Sequence, residues 1–302
     1  VSLVVPSHGD AWSEALPGIS PGIYTREDFR AVSEMVHAEA GIVLPTGKAM
    51  LVYSRLAPLV RNSNSGTFAA YVARMRENDA ERLRAVNALT TNHTFFFRED
   101  HHFAHFAQDV RPAMLRRLES GGPVRIWSAG CSSGEETWSL GMTLLGEDHA
   151  RGIAIARRDL RILASDLAER VLTKARDAHY TADNLKTVPD PLRRAWTVTD
   201  PAKPPMGATA GATIADPLRA IVRFRMLNLL GEWPMRGTFD VIFCRNVMIY
   251  FDTETKERLV DRFADRIAPG GFLYIGHSER VTGPATRKLR LVGPTIYQRT
   301  AA

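Results

Sequence analysis

Cysteine is scarce: Cys131 and Cys244 are the two in 302 residues, too few for a disulfide framework and without the spacing of a zinc site. That usage is consistent with a reducing compartment. No apolar run approaches the roughly 18–20 residues that a membrane-spanning helix needs. The opening Val1-Ser2-Leu3-Val4-Val5-Pro6 is too short and uncharged for a secretory signal, so a cytoplasmic location is the default expectation. Internal repeats are absent too. What is present is a chain 45% hydrophobic and 24% charged, a composition that suits a soluble globular protein with one large domain and a smaller one. The net charge of +6 and a pI near 9.5 admit an acidic partner such as nucleic acid, a membrane surface or a carboxylate-rich protein, and select none of them.

Residues 1–22 carry Pro6, Gly9, Pro17, Gly18, Pro21 and Gly22 without apolar periodicity, which predicts a flexible tail. From residue 23 to 90 the pattern is helical: Phe29, Val32, Met35 and Val36 in one stretch, Met50 to Leu59 in a second, Tyr71, Val72 and Met75 in a third. Lys48 and Arg55 are seven apart on one face of the second helix and Arg61 follows, with no acidic residue between Pro45 and Asn64. This is either a docking face for an acidic surface or an ordinary solvated face. Residues 91–107 read as a linker bearing a motif, and 108–302 as one further domain. There, after Gly121-Gly122-Pro123, short apolar strands alternate with helices, which predicts an α/β fold with a mostly parallel sheet covered on both faces. The expected strands are Val124–Ala129, Leu160–Ser165, Ile221–Met226, Phe239–Cys244, Phe272–Gly276 and a final edge strand near Thr295–Arg299. The proline-bearing segment from about 180 to 220, with Pro204-Pro205-Met206-Gly207-Ala208-Thr209-Ala210-Gly211, exceeds a simple loop and predicts an inserted subdomain.

In an open parallel sheet a ligand sits beyond the carboxyl ends of the strands, so chemistry is sought there. The first strand ends in Gly130-Cys131-Ser132-Ser133-Gly134 and enters a helix at Glu135-Glu136. A glycine turn admits a ligand to the backbone, and diphosphates favour such helix entrances. Two carboxylates at this one would repel a diphosphate and suit a nucleoside carrying a positive charge, which is the character of S-adenosylmethionine. The alternative is local: Ser133 and Glu136 as a capping box, with Glu135 complementing the helix dipole. Asp166 ends the second strand, where a carboxylate can accept both ribose hydroxyls. Asn228 follows the third and can offer an amide to an adenine edge, and Cys244-Arg245-Asn246-Val247-Met248-Ile249-Tyr250 follows the fourth. Upstream, Thr90-Thr91-Asn92-His93-Thr94-Phe95-Phe96-Phe97-Arg98-Glu99 joins polar donors, three aromatics and a guanidinium. Folded over a cofactor, the rings would exclude water and Arg98 would hold a carboxylate; otherwise the rings are interdomain packing and Arg98 a surface charge. His101 and His105 are four apart but lack a third ligand, so no metal is expected. His277-Ser278-Glu279 lacks a nucleophile elbow and reads as a loop.

Taken together, Thr91-Asn92-x-Thr94 through Phe96-Phe97-Arg98-Glu99, Trp127 to Glu136, Ala164-Ser165-Asp166, Phe243 to Phe251 and Gly276-His277-Ser278-Glu279 resemble the chemotaxis-receptor glutamate methyltransferases of the CheR type, from about Ile23 to Arg299. The resemblance implies a Rossmann-like class I S-adenosylmethionine-dependent methyltransferase sheet, a small N-terminal all-helical domain and an inserted small β-subdomain. It implies S-adenosylmethionine as donor and S-adenosylhomocysteine as product. The acceptor it implies is a glutamate of a membrane chemoreceptor's cytoplasmic helical bundle, yielding a γ-glutamyl methyl ester. Carried over by motif, Asn92, Thr94, Arg98, Gly130, Glu135 or Glu136, Asp166, Asn228, Leu229, Arg245 and Asn246 line the cofactor site, and Arg98 and Tyr250 flank the transferred methyl. Lys48, Arg55 and Arg61 become the candidate receptor-docking residues, although Ala57-Pro58-Leu59 stands where several members are more basic. A monomer is expected, with neither nucleic acid nor membrane insertion. Amino-directed DNA methyltransferases place Pro-Pro-aromatic after the fourth-strand Asn or Asp, whereas Asn246 is followed by Val247-Met248-Ile249-Tyr250. A non-catalytic adaptor that binds cofactor or receptor is the rival of a different class.

Overall fold

The structure, a computed structural model, describes residues 19–20, 22–90, 92–199 and 211–300. Most of the expected tail, Thr91 and the Pro204–Ala210 stretch lie outside the described residues. The chain divides into two compact units, one holding the residues before Asn92 together with Tyr250–Asp252, the other Asn92–Ile249 and the residues from Thr253 onward.

The first unit is helical: α1 (Arg26–Ala40), α2 (Ala49–Asn62), α3 (Phe68–Glu77) and α4 (Asp79–Leu89). Short polar residues start three of these. Thr25 and Asp28 form a reciprocal capping box, Thr67 accepts from Ala70 N–H and Asn78 from Glu81 N–H. Gly41 ends α1 at φ 67°, a left-handed position that favours glycine. The apolar stripes read from the sequence meet inside, where Phe29, Val32, Val36, Val52, Leu56, Phe68, Tyr71 and Met75 are buried. A polar pair in this core, Tyr71 Oη donating to Glu81 Oε2 at 3.2 Å, satisfies both groups.

In the second unit α5 (Asp100–His105) continues through one π-helical turn, Phe106–Val110, into α6 (Arg111–Glu119). Then follow β1 (Val124–Ala129), α7 (Glu135–Leu145), α8 (His149–Ala156), β2 (Leu160–Asp166), α9 (Glu169–Asp177), β3 (His179–Thr181), α10 (Ala182–Leu185), α11 (Asp190–Trp196), β4 (Thr197–Val198), β5 (Gly211–Ile214), α12 (Asp216–Ile221), β6 (Val222–Met226), β7 (Phe239–Cys244), α13 (Thr253–Arg266), β8 (Ile267–Ile275), β9 (Leu289–Gly293) and β10 (Ile296–Arg299). The main sheet has seven strands in the order β6-β2-β1-β7-β8-β10-β9. β10 alone runs between two antiparallel neighbours, while β6, β2, β1, β7 and β8 pair in parallel. The order reverses between β1 and β7, and such sheets open a crevice outside the carboxyl ends of the strands at this switch point. A separate antiparallel sheet, β3-β5-β4, occupies the inserted segment.

Two strand expectations need correction. The strand near Thr295–Arg299 is not the edge, because β9 pairs outside it. β9 has no clear strand pattern because its Leu-Arg-Leu-Val-Gly stays largely wet: Leu291 is 59% exposed. β8 begins five residues earlier than the expected Phe272, at Ile267. Its Pro269-Gly270-Gly271 reads as a turn, yet Gly271 fits only because it has no Cβ, which would lie 2.6 Å from the Asp240 carbonyl.

Gly152 in α8 illustrates packing overriding propensity. A Cβ there would overlap the indole of Trp196, which is fully buried and whose Nε1 donates to the Gly146 carbonyl at 2.7 Å. The rigid ring has no easy escape. Gly152→Ala should therefore destabilise by about 1–2 kcal/mol, overpacking of about 1–3 kcal/mol outweighing the helix gain of about 1. A urea midpoint above that of the wild type would show that Trp196 yields freely.

Candidate functional site

The junction between β1 and α7 is built from non-standard backbone. Gly130, Ser132 and Gly134 all have positive φ, at 79°, 49° and 95°. At Gly130 a Cβ would overlap the Val247 side chain, and at Gly134 it would lie 2.9 Å from the Ala175 Cβ. Glycine is thus required twice, by backbone angle and by space. The loop's N–H groups are taken up by the neighbouring strand: Gly130 and Cys131 donate to the Ser165 carbonyl at 2.8 and 2.9 Å, and Ser132 donates to Asp166 Oδ2 at 2.8 Å. On the other side Tyr180 Oη donates to the Ser133 carbonyl at 2.6 Å.

The helix entrance is not a capping box. Gly134 is the N-cap and no side chain caps it. Ser133 Oγ donates to Glu135 Oε2 at 2.7 Å, with Lys174 Nζ 3.8 Å from the other oxygen. Glu136 turns the opposite way, accepting from Ser128 Oγ at 2.8 Å and pairing with Arg245 at 3.3 Å. Burial pushes the Glu136 carboxyl up, against the opposing pull of Arg245 and Ser128. Asp166 is buried as well. Its Oδ1 accepts from Ala168 N–H at 3.0 Å, and burial raises its pKa while the backbone donors lower it. Two carboxylate oxygens can accept about four hydrogen bonds in all, so Asp166 can hold the loop and still receive a diol.

The upstream motif folds onto the same end of the sheet. Asn92 accepts Ser132 Oγ on its carbonyl at 2.9 Å, and Phe97 N–H donates to Ser139 Oγ of α7 at 3.0 Å. Phe96 is fully buried, edge-on to Tyr180 at 4.9 Å, and Phe97 packs against Phe103 at 5.0 Å. Phe95 is instead 40% exposed, with the Arg98 guanidinium 5.9 Å from its ring centre. Thr94 and Arg98 are half-buried. Arg98 donates one N–H to the His93 carbonyl at 3.1 Å, which leaves donors for a ligand.

At the end of β7, Arg245 is 5% exposed and lies between two carboxylates, Glu136 and Glu99, each at 3.3 Å. It also donates to the Arg98 carbonyl and faces the rings of Phe103 and Phe243. Asn246 is left-handed at φ 59°, donating its amide to Glu99 at 3.3 Å and its N–H to Glu279 at 3.2 Å. Asn228 makes a tight turn, its side-chain oxygen accepting from Leu230 N–H at 3.0 Å, and Leu229 is buried. Tyr250 groups with the helical unit, where its carbonyl accepts from Val43 N–H at 2.8 Å.

Two carboxylates of the site carry little signal in the sequence. Glu99 is one, and its position beside Arg98 gave no signal of a long-range pair. Glu279 is the other: its Oε2 accepts from Gly276 N–H at 2.6 Å as well as from Asn246, so the supposed plain loop ties two strand ends together. The signal available was a glutamate three residues beyond the glycine that ends the expected strand. The histidines serve packing. His102 has no exposed surface, sits 2.9 Å from Thr295 Oγ1 and is lowered by burial to about 3, so it is neutral near pH 7; His105 Nδ1 lies 2.7 Å from Tyr274 Oη. In the helical unit Lys48 and Arg61 are exposed, whereas the half-buried Arg55 donates to the Leu89 and Thr90 carbonyls at 2.7 and 2.9 Å and so caps α4.

Counted within the main sheet alone, the strand order is 3-2-1-4-5-7-6 with the last strand in the chain antiparallel, and with its glycine loop and acidic strand ends this is the fold of class I S-adenosylmethionine-dependent methyltransferases. Residues 92–297 match the family model described as "CheR methyltransferase, SAM binding domain" and residues 27–90 the one described as "CheR methyltransferase, all-alpha domain". The chain belongs to the CheR methyltransferase family. It is 40% identical over 268 residues to a probable chemotaxis protein methyltransferase of Rhizobium etli, covering 88% of this chain and 97% of that one. It is 41% identical over 276 residues to chemotaxis protein methyltransferase 2 of Pseudomonas aeruginosa, covering 91% and 93%. Identity to the chemotaxis protein methyltransferase of Escherichia coli is 37% over 274 residues, covering 89% of each.

Asp166 gives the sharpest test of the site. If Asp166 receives both ribose hydroxyls, Asp166→Ala should weaken S-adenosylhomocysteine binding about 100-fold or more, two charge-assisted hydrogen bonds being worth about 1.5–3 kcal/mol each. Asp166→Asn, which keeps one acceptor, should lose less. Calorimetric titration reads both, and an unchanged affinity in the alanine variant would remove Asp166 from the site.

Proposed function

We propose that this protein transfers a methyl group from S-adenosylmethionine to glutamate side chains in the cytoplasmic helical bundle of membrane chemoreceptors, giving γ-glutamyl methyl esters and S-adenosylhomocysteine in chemotactic adaptation. The observation that carries this reading is the convergence, at the carboxyl ends of β1, β2 and β7, of an acidic helix entrance, a strand-end carboxylate and a guanidinium with donors to spare, in a chain of this family.

The residues fit the cofactor. A diphosphate would meet Glu135 and Glu136, whereas a cationic nucleoside is attracted by them, and Gly130, at a φ of 79° that favours glycine, shapes the loop that would receive it. Asp166 would receive the ribose hydroxyls, Asn228 and Leu229 the adenine, and Asn92, Thr94, Glu135 or Glu136, Arg245 and Asn246 the remainder. When bound, S-adenosylmethionine supplies an electrophilic methyl on a sulfonium. A glutamate carboxylate is already ionised near pH 7 and needs no general base. The protein's task is then alignment, which can supply about 7–11 kcal/mol relative to reaction in water. Arg98 orients the acceptor carboxylate without neutralising it fully, and the Tyr250 phenol offers it a further hydrogen bond. Residues 108–302 form the catalytic domain, with an insertion at about 180–220, joined by the 91–107 linker to the helical domain at 23–90. That domain would dock the acidic bundle through exposed Lys48 and Arg61, with Arg55 holding α4 beneath them. The protein would work as a cytoplasmic monomer; no helix among the described residues is long and apolar enough to cross a membrane.

The assay is transfer of labelled methyl from S-adenosylmethionine to membranes containing chemoreceptors. The label should be released as methanol by mild base, as an ester requires. Arg98→Ala should lower kcat/KM about 10- to 100-fold, the loss of a charged hydrogen bond of about 1.5–3 kcal/mol. Base-stable label would overturn the ester, no incorporation would leave a non-catalytic adaptor, and an unchanged rate in Tyr250→Phe would take Tyr250 out of the mechanism.

A further inference from the structure

Arg98 stands between two residues with left-handed backbone, Phe97 at φ 56° and Glu99 at φ 56°, ψ 64°. Neither is glycine, so the turn is held by its surroundings and not by local preference. Three elements of the sheet unit hold it. Phe97 N–H is fixed to Ser139 of α7 at 3.0 Å. The Arg98 carbonyl accepts from Arg245 at the end of β7. The Glu99 carboxylate then closes the arrangement: one oxygen is 3.3 Å from Arg245, the other 3.3 Å from both the Asn246 amide and His277 Nδ1 in the loop after β8. Glu99 is nearly buried, yet Arg245 and His277 outweigh that burial and hold its carboxyl below the ordinary range, so it is ionised and the pair with Arg245 is intact.

We propose that Glu99 is a positioning residue for the methyl transfer: by anchoring Arg245 and the turn it occupies, it fixes the peptide from which Arg98 reaches the acceptor carboxylate. Its side chain contacts neither acceptor nor cofactor in this role. The idea rests on the reading of Arg98 given above, and its consequence is coupling. A carboxylate that matters only through Arg98 has nothing to contribute once Arg98 is gone.

The test is a double-mutant cycle on the full chain, reading kcat/KM for methyl transfer to chemoreceptor membranes, with S-adenosylhomocysteine affinity by calorimetry and the thermal midpoint alongside. Glu99→Gln should lower kcat/KM about ten-fold, and the double variant Arg98→Ala/Glu99→Gln should fall within about two-fold of Arg98→Ala alone. Equal fold losses in both backgrounds would overturn the proposal and indicate a general structural role, as would full activity in Glu99→Gln. If Arg98→Ala is itself fully active, the reading of Arg98 fails, and the proposal with it; that failure is seen in the single variant and is distinct from additivity. Should Glu99→Gln not fold, His277→Ala removes an exposed partner of the same carboxylate. It should lower kcat/KM in the wild-type background and have no effect in Arg98→Ala, and any other pattern overturns the proposal.

Discussion

The guanidinium of Arg245 is the interaction on which the site depends. It is almost wholly buried, and an unpaired charge there would be costly; removing one partner of a buried pair typically costs about 3–5 kcal/mol. Arg245 avoids that cost by meeting Glu136 from α7, Glu99 from the upstream motif and the Arg98 carbonyl, above the faces of Phe103 and Phe243. Three chain segments that share no local sequence are thereby fixed at one point. The acidic helix entrance follows from the same interaction. Glu136 can remain at the first turn of α7, close to Glu135, because a cation faces it.

Two further carboxylates complete the support by binding backbone. The turns that leave parallel strands have N–H groups with no strand partner, and buried N–H groups must be satisfied. Asp166 takes up Ser132 and Ala168, and Glu279 takes up Gly276 and Asn246. Burial pushes both carboxyls up while their backbone donors pull them down. Both therefore act as struts for the loops that would surround a ligand, and Asp166 has acceptor capacity left over for the ligand itself. The conformations so held, left-handed at Ser132 and Asn246, are ones that cost about 1–3 kcal/mol each when unsupported.

The helical unit is organised by more local means. Its helices start on Thr25, Thr67 and Asn78, which use their own side chains to satisfy first-turn N–H groups. Arg55 is the exception. It reaches from α2 to the carboxyl end of α4, and a basic side chain that looked available for docking proves to be half engaged in capping.

Everything periodic or local is legible in the chain: the apolar runs of β1, β2, β6 and β7, the helical pattern before residue 90, the glycine turn after Ala129, and the carboxylate that ends β2 at Asp166. These are legible because each depends on residues adjacent in the chain. Tertiary structure alone decided which charges meet. It rejected the capping box in favour of a glycine N-cap, sent Glu135 and Glu136 to different partners, and paired Asn246 with Glu99 across 147 residues. It also placed β9 outside β10, since a half-wet edge strand has no strong pattern of its own. The physical reason is range: propensity and periodicity act within a few residues, whereas ion pairs and edge pairing are settled by which surfaces the folded chain brings together.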